Sequence, residues 1–224
     1  MRRMNLVALM VAAIFSIAVA RPASAVPWTN SSGNSPGLFS WSNGGSDQGL
    51  FGDPVVVGSQ FIFSPSNFRA VSSNGVAQTT ADRLFVTIDI APGSSLVAVS
   101  LSELGDYVIL GTGTVQAAGF MFVTDLNSGN VASAVMSTNP VFPLSTTTSA
   151  AGIWSGLISV PLPNGATRVT IIVNNILQAI SGANSTAYIE KKNAGLVLDI
   201  IVPEPASLSM LALGGLLMGR RRRA

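Results

Sequence analysis

The 224-residue chain contains no cysteine and no histidine. Without cysteine there is no disulfide to hold a fold together and no thiol nucleophile. Without histidine, Ser-His-Asp hydrolysis, Cys-His chemistry and histidine-ligated zinc are excluded together. Charge is scarce as well: 12 Lys and Arg and 10 Asp and Glu make up only 10% of the chain. The chemistry left is that of carboxylates, of serine with lysine, of tyrosine, or of an oxygen-ligated cation such as calcium. Long helical periodicities are missing from the body. Ser, Thr, Val and Gly dominate it, and few Glu and Lys are available to favour helix.

What is present is unevenly distributed. Arg2, Arg3, Arg21 and Arg220 to Arg223 account for seven of the twelve cationic residues. Between Val26 and Val202 five cations (Arg69, Arg83, Arg168, Lys191, Lys192) face nine carboxylates, so the body carries −4 although the whole chain is +2. No basic patch exists in the body, and nucleic acid is not an expected partner. At the amino end Arg2 and Arg3 precede an apolar stretch from Leu6 to Ala20. Ala23-Ser24-Ala25 then offers small residues at the positions a signal peptidase reads. This is the layout of a secretory signal peptide over residues 1–25, with cleavage expected after Ala25.

Residues 26–202 read as one β domain. Leu84, Val86, Ile88 and Ile90 alternate with more polar residues; so do Val169, Ile171 and Val173, and Leu196, Leu198, Ile200 and Val202. Shorter apolar runs lie at 96–101, 107–110, 120–124 and 153–160. Turn residues separate them at Asn74-Gly75, Pro92-Gly93, Asp125 to Asn130, Asn164-Gly165, Gly182 to Ser185 and Lys192 to Gly195. The expected fold is all-β, an antiparallel β-sandwich of jelly-roll type, flanked by an amino-terminal signal helix and a short carboxyl-terminal membrane helix. Pro27 to Gly49, rich in Ser, Asn and Gly, reads as a loosely ordered start. About 175 residues suffice for a core built on apolar burial alone, since a chain this size buries about 70% of its unfolded surface.

The carboxyl end reads Val202-Pro203-Glu204-Pro205-Ala206-Ser207, then an apolar run to Gly219, then Arg220, Arg221, Arg222 and Arg223. The 14 residues Ala206 to Gly219 would form a helix about 21 Å long, short of the roughly 20 residues a full span needs. It is a weak anchor with its charges held on the cytoplasmic side. In these residues the chain resembles the PEP-CTERM family of exported bacterial proteins. The resemblance implies that residues 203–224 are a sorting tail and that an exosortase, a membrane-embedded processing enzyme, cleaves near Pro203-Glu204-Pro205. It also implies a Gram-negative source, transient anchoring in the inner membrane, and delivery to the cell surface or an exopolysaccharide matrix. Glu103-Leu104-Gly105-Asp106-Tyr107 and Ala187-Tyr188-Ile189-Glu190-Lys191-Lys192 look like elements of planctomycete-type members of that family.

Site chemistry is sparse. Glu103 and Asp106, three residues apart across a glycine, read as an acidic turn that could collect oxygen ligands for Ca²⁺, or as a turn in which Asp106 bonds its own backbone. No other cofactor is indicated. Asp125 to Asn130 echoes a calcium loop but lacks its full ligand order and reads as a hairpin loop. Gly111-Thr112-Gly113 lacks the third glycine of a dinucleotide fingerprint. A glycosidase would draw a carboxylate pair from Asp82, Asp89, Glu103 and Asp199. Trp28, Trp41 and Trp154, with Tyr107, are candidates for stacking on sugar rings; the alternative is packing in the core. The combined expectation is a non-enzymatic, exported structural or adhesive protein associated with exopolysaccharide. The alternatives are a carbohydrate-binding module and a matrix-modifying glycoside hydrolase.

Overall fold

A computed structural model describes residues 25–202. The signal-like segment before residue 25 and the tail from Pro203 onward, with the two helices expected there, lie outside the described residues. In chain order the strands are β1 (Val26–Pro27), β2 (Gly33–Ser35), β3 (Phe39–Ser46), β4 (Val55–Val57), β5 (Gln60–Phe63) and β6 (Arg69–Ser73). Three long strands follow, β7 (Gln78–Ile90), β8 (Leu96–Leu110) and β9 (Gly113–Asp125), then the short β10 (Val131–Val135), β11 (Ser137–Asn139) and β12 (Leu144–Thr146). The body ends with β13 (Ala150–Ala166), β14 (Arg168–Ser181) and β15 (Thr186–Ile201).

These strands form two antiparallel sheets. The first runs β1-β3-β7-β14-β9-β10, with β2 beside β3 and β12 beside β9; the second runs β11-β13-β8-β15-β5-β4, with β6 beside β15. The pairings are nested along the chain: β7 with β14, β8 with β13, and β9 with β12. Consecutive long strands therefore alternate between sheets. The Asn74-Gly75 and Pro92-Gly93 turns, with Gly75 at φ +86° and Gly93 at φ +84°, connect strands of opposite sheets. Asp125 to Asn130, by contrast, closes a true hairpin between β9 and β10. There Asn127 N and Ser128 Oγ donate to the Asp125 carboxylate, at 2.9 and 2.6 Å. This is hairpin-loop chemistry, with Asp125 occupied by its own loop.

Period-two alternation does the sorting. Along β9 every second residue from Gly113 to Val123 is buried, and β14 and β13 follow the same rhythm. The facing inner surfaces form a core that includes Leu84, Ile88, Leu101, Ile109, Met121, Ile158 and Trp154, each at most 1% exposed. Removal of this apolar surface from water, at about 25 cal/mol per Å², drives folding in the absence of disulfides.

Three expectations are corrected. The stretch from Pro27 to Gly49 is built into the first sheet as β1, β2 and β3. Trp28 packs on Phe61 and Phe63 at 5.8 and 5.5 Å between ring centroids, and Phe39 stacks on Phe61 at 5.6 Å. The Asp82 carboxylate fastens its far end, accepting from Ser46 Oγ, Gln48 N and Leu50 N at 2.8–2.9 Å. Second, no turn occurs at Glu103 to Asp106, because β8 runs unbroken through them. Third, no turn interrupts the chain at Lys192 to Gly195, where β15 continues with a bulge.

Gly105 was misleading because glycine has two meanings in a strand. Here it admits a neighbour: the Trp154 ring lies against it, and Trp154 Nε1 donates to the carbonyl of Glu190 at 3.1 Å. A Cβ at position 105 would collide with that carbonyl and that indole. Gly105→Ala is expected to destabilise the body by about 1–3 kcal/mol, the range for overpacking a core. A lowered urea midpoint with unchanged slope would show it.

Candidate functional site

The most densely functionalised part of the body surrounds the bulge in β15. Lys191 pairs with Gly105 and Leu196 with Glu103, so β15 advances five positions while β8 advances two. Bulges of this kind bend a strand and re-aim its side chains. Two polar clusters result, one on each side of the second sheet.

The inner cluster lies between the sheets. Glu103 of β8 points inward, and its carboxylate accepts from Lys191 Nζ through Oε2 and from Asn175 Nδ2 through Oε1. Asn175 belongs to β14 of the opposite sheet, so the cluster bridges the sandwich. The Lys191 and Glu103 side chains are 1% and 0% exposed. Lys191 Nζ also lies 5.0 Å from the centroid of Phe68 and 5.4 Å from that of Trp154, within cation–π range. Burial pushes the lysine below its ordinary pKa, while the Glu103 charge and hydrogen bond pull it back up. Asn175 Oδ1 is buried and has no hydrogen-bond partner among the described residues.

The outer cluster faces solvent. Lys192 Nζ sits 2.6 Å from both Asp106 Oδ2 and Glu190 Oε1. The Tyr188 hydroxyl donates to the other oxygen of Glu190. In register, Glu190 stands between Asp106 and Arg69, and Tyr188 between Val108 and Val71, both exposed. One row across the sheet is therefore charged and the next is aromatic and apolar. An open cleft of about 600 Å³ adjoins them, lined by Ser64, Pro65, Ser66, Asn67, Phe68, Arg69, Glu190, Lys191 and Lys192. The two hydrogen-bonded acids raise Lys192 above its ordinary range. For Glu190, burial alone would raise the pKa; the Lys192 and Tyr188 hydrogen bonds outweigh it and leave the carboxyl below its usual value.

Most residues singled out from the sequence fall elsewhere or serve the fold. Glu103 and Asp106 lie on opposite faces of β8, buried and outward, each with a lysine partner, so they do not converge on one cation. Among the described residues no group of three or more acidic side chains is placed to hold a metal ion. Trp28 and Trp154 are buried, at 4% and 0% exposure, and are core residues rather than stacking platforms. Trp41 is half-buried, edge-on to Phe61 at 5.4 Å, with its Nε1 donating to the Asn30 carbonyl. Tyr107 is buried against Phe142. Gly111-Thr112-Gly113 is the arch from β8 to β9. Of the carboxylates considered for hydrolysis, Asp82 holds the 46–50 loop, Asp89 pairs with Arg168 at 3.1 Å, Glu103 is enclosed, and Asp199 accepts from Ser59 at 2.7 Å. Val202 is partly buried against the core and Ala25 is exposed. Ala23, Pro203, Glu204, Pro205 and Arg220 to Arg223 lie outside the described residues.

Sequence reasoning missed Lys191, Asn175, Arg69, Tyr188 and Glu190 as a group. A signal for two of them was available. Lys191 continues the inward series Ala187, Ile189, and Asn175 continues Val169, Ile171, Val173, so both occupy core positions of alternating strands.

Among the described residues no helix is long and apolar enough to cross a membrane. No protein-family model matches the chain, and no curated protein matches it either. Solved structures give distant likenesses. A CocE/NonD family hydrolase from Staphylococcus aureus is 6% identical with a TM-score of 0.24, over 63% of this chain and 39% of that one. The enzymatically active domain of bacteriophage CBA120 tailspike protein 4 is 14% identical with a TM-score of 0.20, over 60% and 20%. A family 11 carbohydrate-binding module from Clostridium thermocellum is 11% identical with a TM-score of 0.16, over 64% and 90%. The match thus spans about two fifths of the hydrolase and a fifth of the tailspike domain, and scores this low carry no functional argument.

Tyr188 offers a direct check of the outer cluster. Burial, then its hydrogen bond and proximity to Glu190, raise its pKa from 10.0 to about 12. The folded state keeps this proton where the unfolded chain would lose it. The resulting stabilisation is complete below pH 10 and is lost as pH rises toward about 12. Phenolate absorbance that disappears in Tyr188→Phe should rise near pH 12; a rise near pH 10 would show that Tyr188 is neither buried nor in contact with Glu190 as described.

Proposed function

We propose that this protein is exported, processed at its Pro203-Glu204-Pro205 segment, and delivered to the cell surface or extracellular matrix. There it acts as a non-enzymatic structural or adhesive sandwich in contact with exopolysaccharide. The nested strand pairing supports reading the body as a sandwich of jelly-roll type. Signal peptidase, an exosortase-type enzyme and, transiently, the inner membrane are its partners on the way out. β15 ends at Ile201, one residue before the Pro-Glu-Pro segment. A cut there would leave the folded body nearly free of linker.

The observation that carries the polysaccharide contact is the paired rows on the outer face of the second sheet. Tyr188 between Val71 and Val108 offers an apolar aromatic surface of the sort sugar C–H faces stack on. Arg69, Asp106, Glu190 and Lys192 beside it supply donors and acceptors for hydroxyls, three of them oriented by one another. The same face supports the second reading, a dedicated carbohydrate-binding module. A hydrolase is disfavoured because each candidate carboxylate is already engaged: Glu103 by a lysine, Asp89 by an arginine, Asp199 by Ser59 and Asp82 by the 46–50 segment.

Two measurements test this. Mass spectrometry of the exported form should place the mature ends near Ala25 and within 203–205; retention of the arginine tail in all mature material would count against sorting. On an array of matrix polysaccharides, Tyr188→Ala should weaken binding about two- to tenfold, the scale of one aromatic contact, whereas Trp41→Ala should not. Equal binding by wild type and Tyr188→Ala would remove this face as the contact surface, and specific saturable binding to one glycan would favour the module reading.

A further inference from the structure

With no cysteine in the chain, no disulfide can fasten one sheet to the other, yet the inner cluster holds the chemistry for a different covalent link. A primary amine, a carboxamide and a proton-transferring carboxyl group meet there: Lys191 Nζ and Asn175 Nδ2 both donate to the one carboxylate of Glu103. All three residues are at most 5% exposed, and Phe68 and Trp154 wall the amine on two further sides. We infer that Lys191 and Asn175 join in an isopeptide bond that the folded protein makes itself, with Glu103 as the catalytic acid and base.

The steps balance without any oxidant or co-reactant. In surroundings this dry a charged pair is costly, and the proton can pass from the Lys191 ammonium to Glu103, leaving a neutral amine and a neutral acid. Desolvation acts on Lys191 in that direction. The amine lone pair attacks Asn175 Cγ and forms the Nζ–Cγ bond; the carbonyl electrons move to Oδ1, which takes the Glu103 proton. Oδ1 is buried with no other partner among the described residues, so it is available to accept. Glu103 then removes a proton from Nζ and delivers it to Nδ2. The Cγ–Nδ2 bond breaks, ammonia leaves, the carbonyl re-forms as the Oδ1 proton returns to Glu103, and the acid is regenerated. The product ties β15 to β14, the central strands of opposite sheets, and closes the chain from 175 to 191.

Tryptic digestion of the denatured exported protein tests this, because Arg168, Lys191 and Lys192 are the only cleavage points around the pair. An unlinked chain releases a linear peptide of residues 169–191. A linked chain resists cutting after Lys191 and yields 169–192, lighter by about 17 Da, the mass of the lost ammonia. Glu103→Gln and Lys191→Arg are both expected to abolish the lighter species, and Glu103→Gln to restore the linear 169–191 peptide. The wild-type digest decides the matter even if both variants misfold. Linear 169–191 of full mass as the main wild-type product overturns the proposal. So does ammonia loss with normal cleavage after Lys191, which would instead mark a succinimide at Asn174 or Asn175.

Discussion

The buried Glu103–Lys191 pair, with Asn175 as its third member, constrains everything around it. While the chain folds, before Lys191 and Asn175 can join, removing two charges from water costs several kcal/mol per ion, and only close pairing with further hydrogen bonding offsets that. The surrounding structure is arranged accordingly. Asn175 reaches across from the opposite sheet, and Phe68 and Trp154 place their ring faces near the ammonium. Register follows from the same requirement. A slip of one residue in β15 would turn Lys191 to solvent and leave Glu103 enclosed without its counter-charge, at a cost of about 3–5 kcal/mol.

Alternation along β15 places the pair beside the outer cluster. Lys191 and Lys192 are neighbours in sequence and face opposite sides of the sheet. Each finds carboxylates on its own side, Glu103 within, Asp106 and Glu190 without. Two consecutive residues, at the edge of a bulge, thus link the interior of the sandwich to its exposed face. The glycine at 105 belongs to the same arrangement. It lets Trp154 lie close enough to bond the Glu190 carbonyl, which holds the backbone immediately before Lys191. Stability and surface chemistry share a few residues here.

Much of the fold was legible before the structure. The alternations at Leu84 to Ile90 and at Val169 to Val173 lie in strands, as does that at Leu196 to Val202 except for Val202, just past the end of β15, because period two is a direct record of one buried face. Strand extent was less legible. The sequence presents β8 as two runs with an acidic turn between them, since Gly105 and Asp106 are common turn residues and nothing local shows that a lysine and an indole from distant strands lie against this stretch. The stretch from Pro27 to Gly49 looked loose for a similar reason. Its order comes from Phe61, Phe63 and Asp82, none of them near it in sequence.

By itself the sequence determined the class of the molecule. The absence of cysteine and histidine excluded whole chemistries, the alternation required strands, and the grouping of arginines at the two ends marked those ends apart from an acidic body. Those properties are local or additive, and a chain carries them whether folded or not. Only the tertiary structure decided which polar residues became neighbours. Lys191, Glu103 and Asn175 are separated by up to 88 residues, and their meeting depends on strand pairing, on the three additional positions in β15, and on which sheet each strand joined. Trp28 and Trp154, which composition offered to a ligand, were instead taken by the core, where burying a large ring contributes to stability in a chain without disulfides. Tyr188, which lay in a family-like segment without an assigned role, took the outward, half-buried place because β15 turned it that way.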